Sequence, residues 1–376
     1  QGVLRAARSY NSCSSFYGDG IWPQAKPAAP PIFRAGGRRL DATNALDRQL
    51  RACSSLQELT TTLAAALPYV DLGNAAIALS CAAKLATGNE ASALQAHPLW
   101  EELLKFIAEG TSSLEPRGLS MVVYALAKLG GGSRSLLDRL AARGAQRAEA
   151  FTAGDIAKMC WAFAKLAVFA SAMDFWSVIE VEAENKVHQG SYIDVSMIAW
   201  AFATAELGSK ALYMEISRAA LAFASELCPQ SLSNTAWALA KAHVRDSELF
   251  SALSARAKDV ATDFTESEVT MLCWAQAKAD EVDYQLFEML AIHTVSTNLL
   301  PRFSAQMVSY LAWAYATAHM PHVELFEALA DYVTQHSGTL SPQHVGNLAW
   351  AFATLELKFP AALEALAATC RGGRLW

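Results

Sequence analysis

Twelve residues of this chain carry side chains that could bond a nucleic acid: Arg117, Lys128, Lys158, Lys165, Gln230, Asn234, Lys241, Lys278, Gln306, Tyr310, Gln343 and Asn347. Ammonium and guanidinium groups neutralise phosphates. Amides and a phenol can bond base edges, and some helical repeats read one base per repeat. Such groups could hold a nucleic acid strand. The same positions also suit the tolerant, concave-facing side of a repeated helix, and both readings stand at this level. A basic run, Arg134, Arg139, Arg143 and Arg147, is either a second phosphate patch or a solvated helix face. Nothing in the spacing suggests catalysis. There is no HExxH, GxGxxG or Walker A pattern. His319 and His322 flank Pro321 and read as a solvated turn, while Asp280, Glu281 and Asp283 suit helix capping. No catalytic, metal-binding or cofactor-binding residue is expected, and the chain reads as a non-enzyme.

The elements that position these residues repeat along the chain. Six segments share a Trp-Ala-x-Ala core, anchored at Trp161, Trp200, Trp237, Trp274, Trp313 and Trp350. Tyr124 stands in the same slot of a seventh unit and Ser80 in a weaker eighth. Most anchors lie 37 or 39 residues apart. The first gap is longer, which places an extended loop near Gly88–His97. Nine residues before the anchor come Thr152, Ser191, Thr265, Ser304 or Ser341, whose hydroxyls suit helix N-caps. Thirteen after it come Leu137, Tyr213, Phe250, Phe287, Phe326 or Leu363, within amphipathic stretches. Gly130–Ser133, Gly208, Asp246, Asp280 and Pro321 break the pattern between the two. Each unit is thus a helix A bearing the anchor and a helix B bearing the downstream aromatic.

The twelve residues fall on one side of helix A. Positions −7, −3 and +4 from the anchor lie within about 40° of each other at 100° per residue. The anchors themselves are expected to be core: small residues at −1, +1 and +3 let helices approach closely, and stacked units bury what one cannot. The predicted fold is all-α, a right-handed α-solenoid of about eight helix-turn-helix repeats. Residues 41–376 form it, with Asn44–Leu67 as its N-terminal cap.

Composition agrees. Hydrophobic residues make up 53% of the 376, and no apolar run reaches the roughly 18 residues of a membrane span. Seven scattered cysteines form no CxxC pair, and Cys160 and Cys273 replace alanines of sister units, as small buried residues in a reducing compartment would. Residues 1–40 are basic and rich in Ser, Gly and Pro, either an organelle-targeting remnant or a generic flexible extension. Net charge runs +5 over 1–40, −1 over 41–150, −3 over 151–260 and −7 over 261–376. The acidic last third is expected to face protein or solvent.

The NxAWAxAxL signature followed by LFxxLA resembles the octotricopeptide and heptatricopeptide repeats, which are related to FAST-kinase-like proteins and often carry a RAP domain. Asn234–Lys241 and Asn347–Thr354 are the nearest copies. The resemblance implies RNA binding in a mitochondrion, or alternatively a plastid. With no RAP domain after the repeats, the nuclease-like activity attributed to that domain is not expected. The combined expectation is a non-catalytic protein holding RNA and neighbouring proteins in an organellar ribonucleoprotein, foremost a mitochondrial ribosome. A free transcript-processing factor and a purely protein-binding scaffold are the alternatives.

Overall fold

The structure, a computed structural model, describes residues 39–371. Among the described residues it holds nineteen α-helices and no strand. The basic segment 1–40 lies almost wholly outside the described residues. The described residues divide into two compact units, one of residues 39–147 with 165–172, the other of 148–164 with 173–371.

In the first unit, α1 (Arg39–Ala52) and α2 (Leu56–Ala66) precede α3 (Leu72–Leu85), α4 (Glu90–Gln95), α5 (Pro98–Gly110), α6 (Pro116–Leu129) and α7 (Arg134–Arg147). In α1 and α2, Leu46, Leu50, Leu59 and Leu63 are buried. Asp71 opens α3 with a reciprocal pair: its carboxylate accepts the Asn74 N–H at 2.8 Å and the Asn74 side chain accepts the Asp71 N–H at 3.1 Å. The long first gap is not a simple loop. It contains α4, whose Gln95 amide donates to the Leu129 carbonyl.

The second unit is built from the six Trp-anchored repeats. Their A helices are α8 (Ala153–Lys165), α10 (Tyr192–Ala205), α12 (Pro229–Lys241), α14 (Glu266–Ala279), α16 (Ala305–Thr317) and α18 (Pro342–Thr354). Their B helices are α9 (Met173–Lys186), α11 (Lys210–Ala222), α13 (Ser247–Asp259), α15 (Tyr284–Ser296), α17 (Val323–His336) and α19 (Pro360–Arg371). From α10 to α18 each A helix packs on the next A, and from α9 to α19 each B packs on the next B. This neighbour-to-neighbour packing is that of an α-solenoid.

Helix starts follow the predicted caps. Ser191 Oγ accepts the Asp194 N–H at 3.3 Å while Asp194 accepts the Ser191 N–H at 3.0 Å. Thr152 and Asp155 make the same exchange. Helix ends use a device the residue types conceal. Six residues after each Trp the backbone turns left-handed, at Ala167, Glu206, His243, Asp280, His319 and Glu356, with φ between 52° and 58°. Only Gly130, after Tyr124, is the residue that geometry favours. A non-glycine residue there costs about 1–2 kcal/mol. The next N–H repays it by closing a bond to the carbonyl at +2, as in Leu207 to Phe202 at 3.0 Å and Leu357 to Phe352 at 2.9 Å.

That +2 position is the buried spine. It holds Phe163, Phe202, Leu239, Gln276, Tyr315 and Phe352, all fully buried. Their rings alternate with those of the B helices: Phe163 meets Phe175 at 4.9 Å, Trp176 meets Phe202 at 5.2 Å, and Phe287 meets Tyr315 at 4.9 Å. Each such ring contributes about 1.5–3 kcal/mol by burial. Gln276 keeps its polar head there because Ser254 Oγ accepts from its amide at 2.6 Å and its oxygen accepts the Asp283 N–H at 3.1 Å. The +13 residues Tyr213, Phe250, Phe287 and Phe326 are buried as predicted, whereas Leu363 is 40% exposed. No later helix among the described residues covers it.

Candidate nucleic-acid interface

The stripe at −7, −3 and +4 is the side of helix A that packing leaves accessible. In α12 the half-buried residues after Pro229 are Gln230, Asn234 and Lys241; the others are buried. Arg117 and Gln343 are exposed; Lys128, Lys158, Lys165, Gln306, Tyr310 and Asn347 are half-buried, and Lys278 is exposed. Met197 and Ser267, at equivalent positions, are buried instead.

The anchors belong to this stripe, contrary to the expectation that they form the core. Trp161 and Trp237 are buried, but Trp200, Trp274 and Trp313 are half-buried and Trp350 is 45% exposed. The reason is angular. Position 0 lies within about 60° of −7, −3 and +4, and about 200° from +2. The spacing contains this signal, whereas a large apolar residue type by itself points to burial. The rings pair along the row: Trp161 with Trp200 at 6.5 Å and Trp274 with Trp313 at 6.4 Å, tilted by 38° and 37°.

The electrostatics of the stripe are one-sided. Across all eight repeats, positions −7, −3, 0 and +4 hold no Asp or Glu. They do hold Lys84, Arg117, Lys128, Lys158, Lys165, Lys241 and Lys278, in a chain of net charge −6. In the first unit, burial lowers the pKa of Lys165 and the charge of Lys128 lowers it further. In the second, burial also lowers Lys241, opposed by Glu206, whose carboxylate lies 3.5 Å away. The Lys241 ammonium sits 5.1 Å from the Trp237 ring centre, a cation–π distance.

The second basic run is differently employed. Arg139 donates to the Ala108 carbonyl, Arg143 to the Leu114 carbonyl at 3.3 Å, and Arg147 pairs with Glu115 at 2.7 Å. These side chains staple α7 to the last turn of α5 and to the start of α6, so the run is neither an uncommitted phosphate patch nor a plain solvated face. Arg143 marks a recurrent tether. Nineteen residues after the anchor, Arg256, His293 and Tyr332 likewise donate to the carbonyls of Leu227, Phe264 and Phe303. Three residue types make one bond, and so the tether has no sequence signature.

His322 also departs from its expected solvated turn. Its side chain is 8% exposed and its Nδ1 accepts the Leu325 N–H at 3.2 Å, capping α17. Asp283 caps α15 in the same way at 3.0 Å. Burial pushes the Cys160 and Cys273 thiols far up, as suits inert core residues. Among the described residues, no group of three or more His, Cys, Asp or Glu could hold a metal ion. No helix among them is long and apolar enough to cross a membrane.

Residues 113–360, from just before α6 to the start of α19, match the model of the family described as RNA-editing substrate-binding complex 6 protein. The chain belongs to that family. The match spans seven of the eight anchors, Tyr124 to Trp350. It supports a helical-repeat, RNA-associated protein and is not specific to octotricopeptide or FAST-kinase-like repeats. A comparison with curated proteins finds no match.

Proposed function

We propose that this chain is a non-catalytic helical-repeat subunit of an organellar, foremost mitochondrial, ribonucleoprotein, binding RNA on the A-helix stripe and proteins elsewhere. The observation that carries the reading is charge segregation: a stripe without carboxylates, bearing seven cations, in an acidic chain. Phosphate neutralisation by such cations supplies most sequence-independent affinity for RNA. The amides of Gln230, Asn234, Gln306, Gln343 and Asn347 and the phenol of Tyr310 would bond base edges. The family description favours an assembly that handles RNA-editing substrates over the mitochondrial ribosome as the finer reading. The basic segment 1–40 would serve as a targeting remnant or extension.

Changing Lys128, Lys165 and Lys241 together to Glu is expected to abolish RNA crosslinking while helicity is retained. Unchanged crosslinking in a folded variant refutes the interface. Gradient sedimentation with and without RNase identifies the assembly: co-migration with ribosomal particles supports the ribosome, and smaller RNase-sensitive complexes support an editing-type assembly. A protein-scaffold reading has its own support in exposed apolar side chains on the B helices, Val181, Met214 and Ile292. These make the outer B face the natural protein-contacting side.

A further inference from the structure

The cations of the stripe are unevenly placed. From α16 onward, positions −7, −3, 0 and +4 carry no charge of either sign, and residues 261–376 sum to −7. Phosphate neutralisation cannot supply affinity here. What this stretch presents instead is ring faces and amides. Trp313 and Trp350 are accessible, the second 45% exposed, with Tyr310 and Asn347 one turn before them on the same sides of α16 and α18. Exposed indole on a helix whose opposite side is fully packed adds nothing to the core.

We infer that the Trp row of the last repeats, centred on Trp313 and Trp350, stacks the unpaired bases of single-stranded RNA. This deepens the RNA-binding reading and rests on it. Aromatic faces accept any base, because every base has a π-face. An uncharged stripe offers phosphates no cation, in a stretch that sums to −7, so the strand lies with its bases turned toward the helices and its backbone toward solvent. Paired RNA cannot do this, because its bases are stacked and their edges occupied. The lysine-bearing repeats then hold backbone, and the last two repeats, without cations on the stripe, hold bases.

The test uses the full chain with a twelve-nucleotide oligouridine and an abasic oligonucleotide of the same length. The unmodified chain is expected to bind oligouridine with quenching of tryptophan fluorescence, and the abasic strand about ten-fold more weakly. Trp350→Ala is expected to weaken oligouridine binding about ten-fold and leave the salt slope unchanged. Trp350→Phe, which keeps a ring face, recovers most of the loss. Gln335→Ala, at an exposed position of the B helix α17, controls for nonspecific effects. Trp350→Ala binding oligouridine as tightly as the unmodified chain overturns the inference, as does equal affinity for the abasic strand; binding that still depends on Lys128, Lys165 and Lys241 would leave the broader reading standing. Loss of protein partners from Trp350→Ala with RNA affinity intact reassigns the row to a peptide. No RNA binding by the unmodified chain overturns both.

Discussion

Trp350 and Phe352 stand two residues apart on α18, yet the first is 45% exposed and the second fully buried. The same division runs through the second unit. Position 0 bears Trp throughout, and position +2 varies among Phe, Leu, Gln and Tyr. The variable position is the core. Repacking with the neighbouring B helix lets Leu239, Tyr315 or a satisfied Gln276 fill one slot, because volume and hydrogen bonding, not identity, decide stability there. Burial does not account for Trp at position 0 in α18, where the ring is 45% exposed.

The largest test of this contrast is stability. Phe352→Ala is expected to cost about 3–5 kcal/mol, and Trp350→Ala less than about 1 kcal/mol. Repeat arrays open locally, so amide exchange in α18 is the better measurement. Equal losses would erase the distinction between the rows. A smaller effect sharpens it from the buried side. The Tyr315 hydroxyl donates to the Phe287 carbonyl at 2.6 Å. Tyr315→Phe is expected to cost about 1 kcal/mol, seen as a lower denaturant midpoint. No change would mean that ring packing alone sets this position.

The smallest effects lie on the accessible row. Glu206→Gln removes the carboxylate beside Lys241. Stability is expected to move by less than about 0.5 kcal/mol, while RNA affinity rises about two- to three-fold with a steeper salt dependence. The pH response follows in sign. Burial lowers the Lys241 pKa and Glu206 opposes this. A lowered lysine loses its charge as pH rises through its depressed value, before the ordinary 10.5. Without Glu206 the value falls further, so RNA affinity of the variant should decline at lower pH than that of the parent. A variant with unchanged affinity, salt slope and pH profile would remove Lys241 from the interface.

The periodic sequence alone determined the all-helical repeat, the register of A and B helices, the N-caps and the side of helix A left accessible. Each is local: helical angle, cap chemistry and spacing follow from near neighbours in the chain. Tertiary structure decided the rest. The left-handed turn six residues after each Trp is imposed by closing helix A onto the +2 carbonyl, at residues that do not favour it. The +19 tether joins Arg, His and Tyr in one role because a distant carbonyl waits there. The Trp rings could not be assigned by residue type, since a large apolar side chain reads as core. Packing in the stack sets how far each ring is covered, burying Trp161 and Trp237 and leaving Trp350 45% exposed.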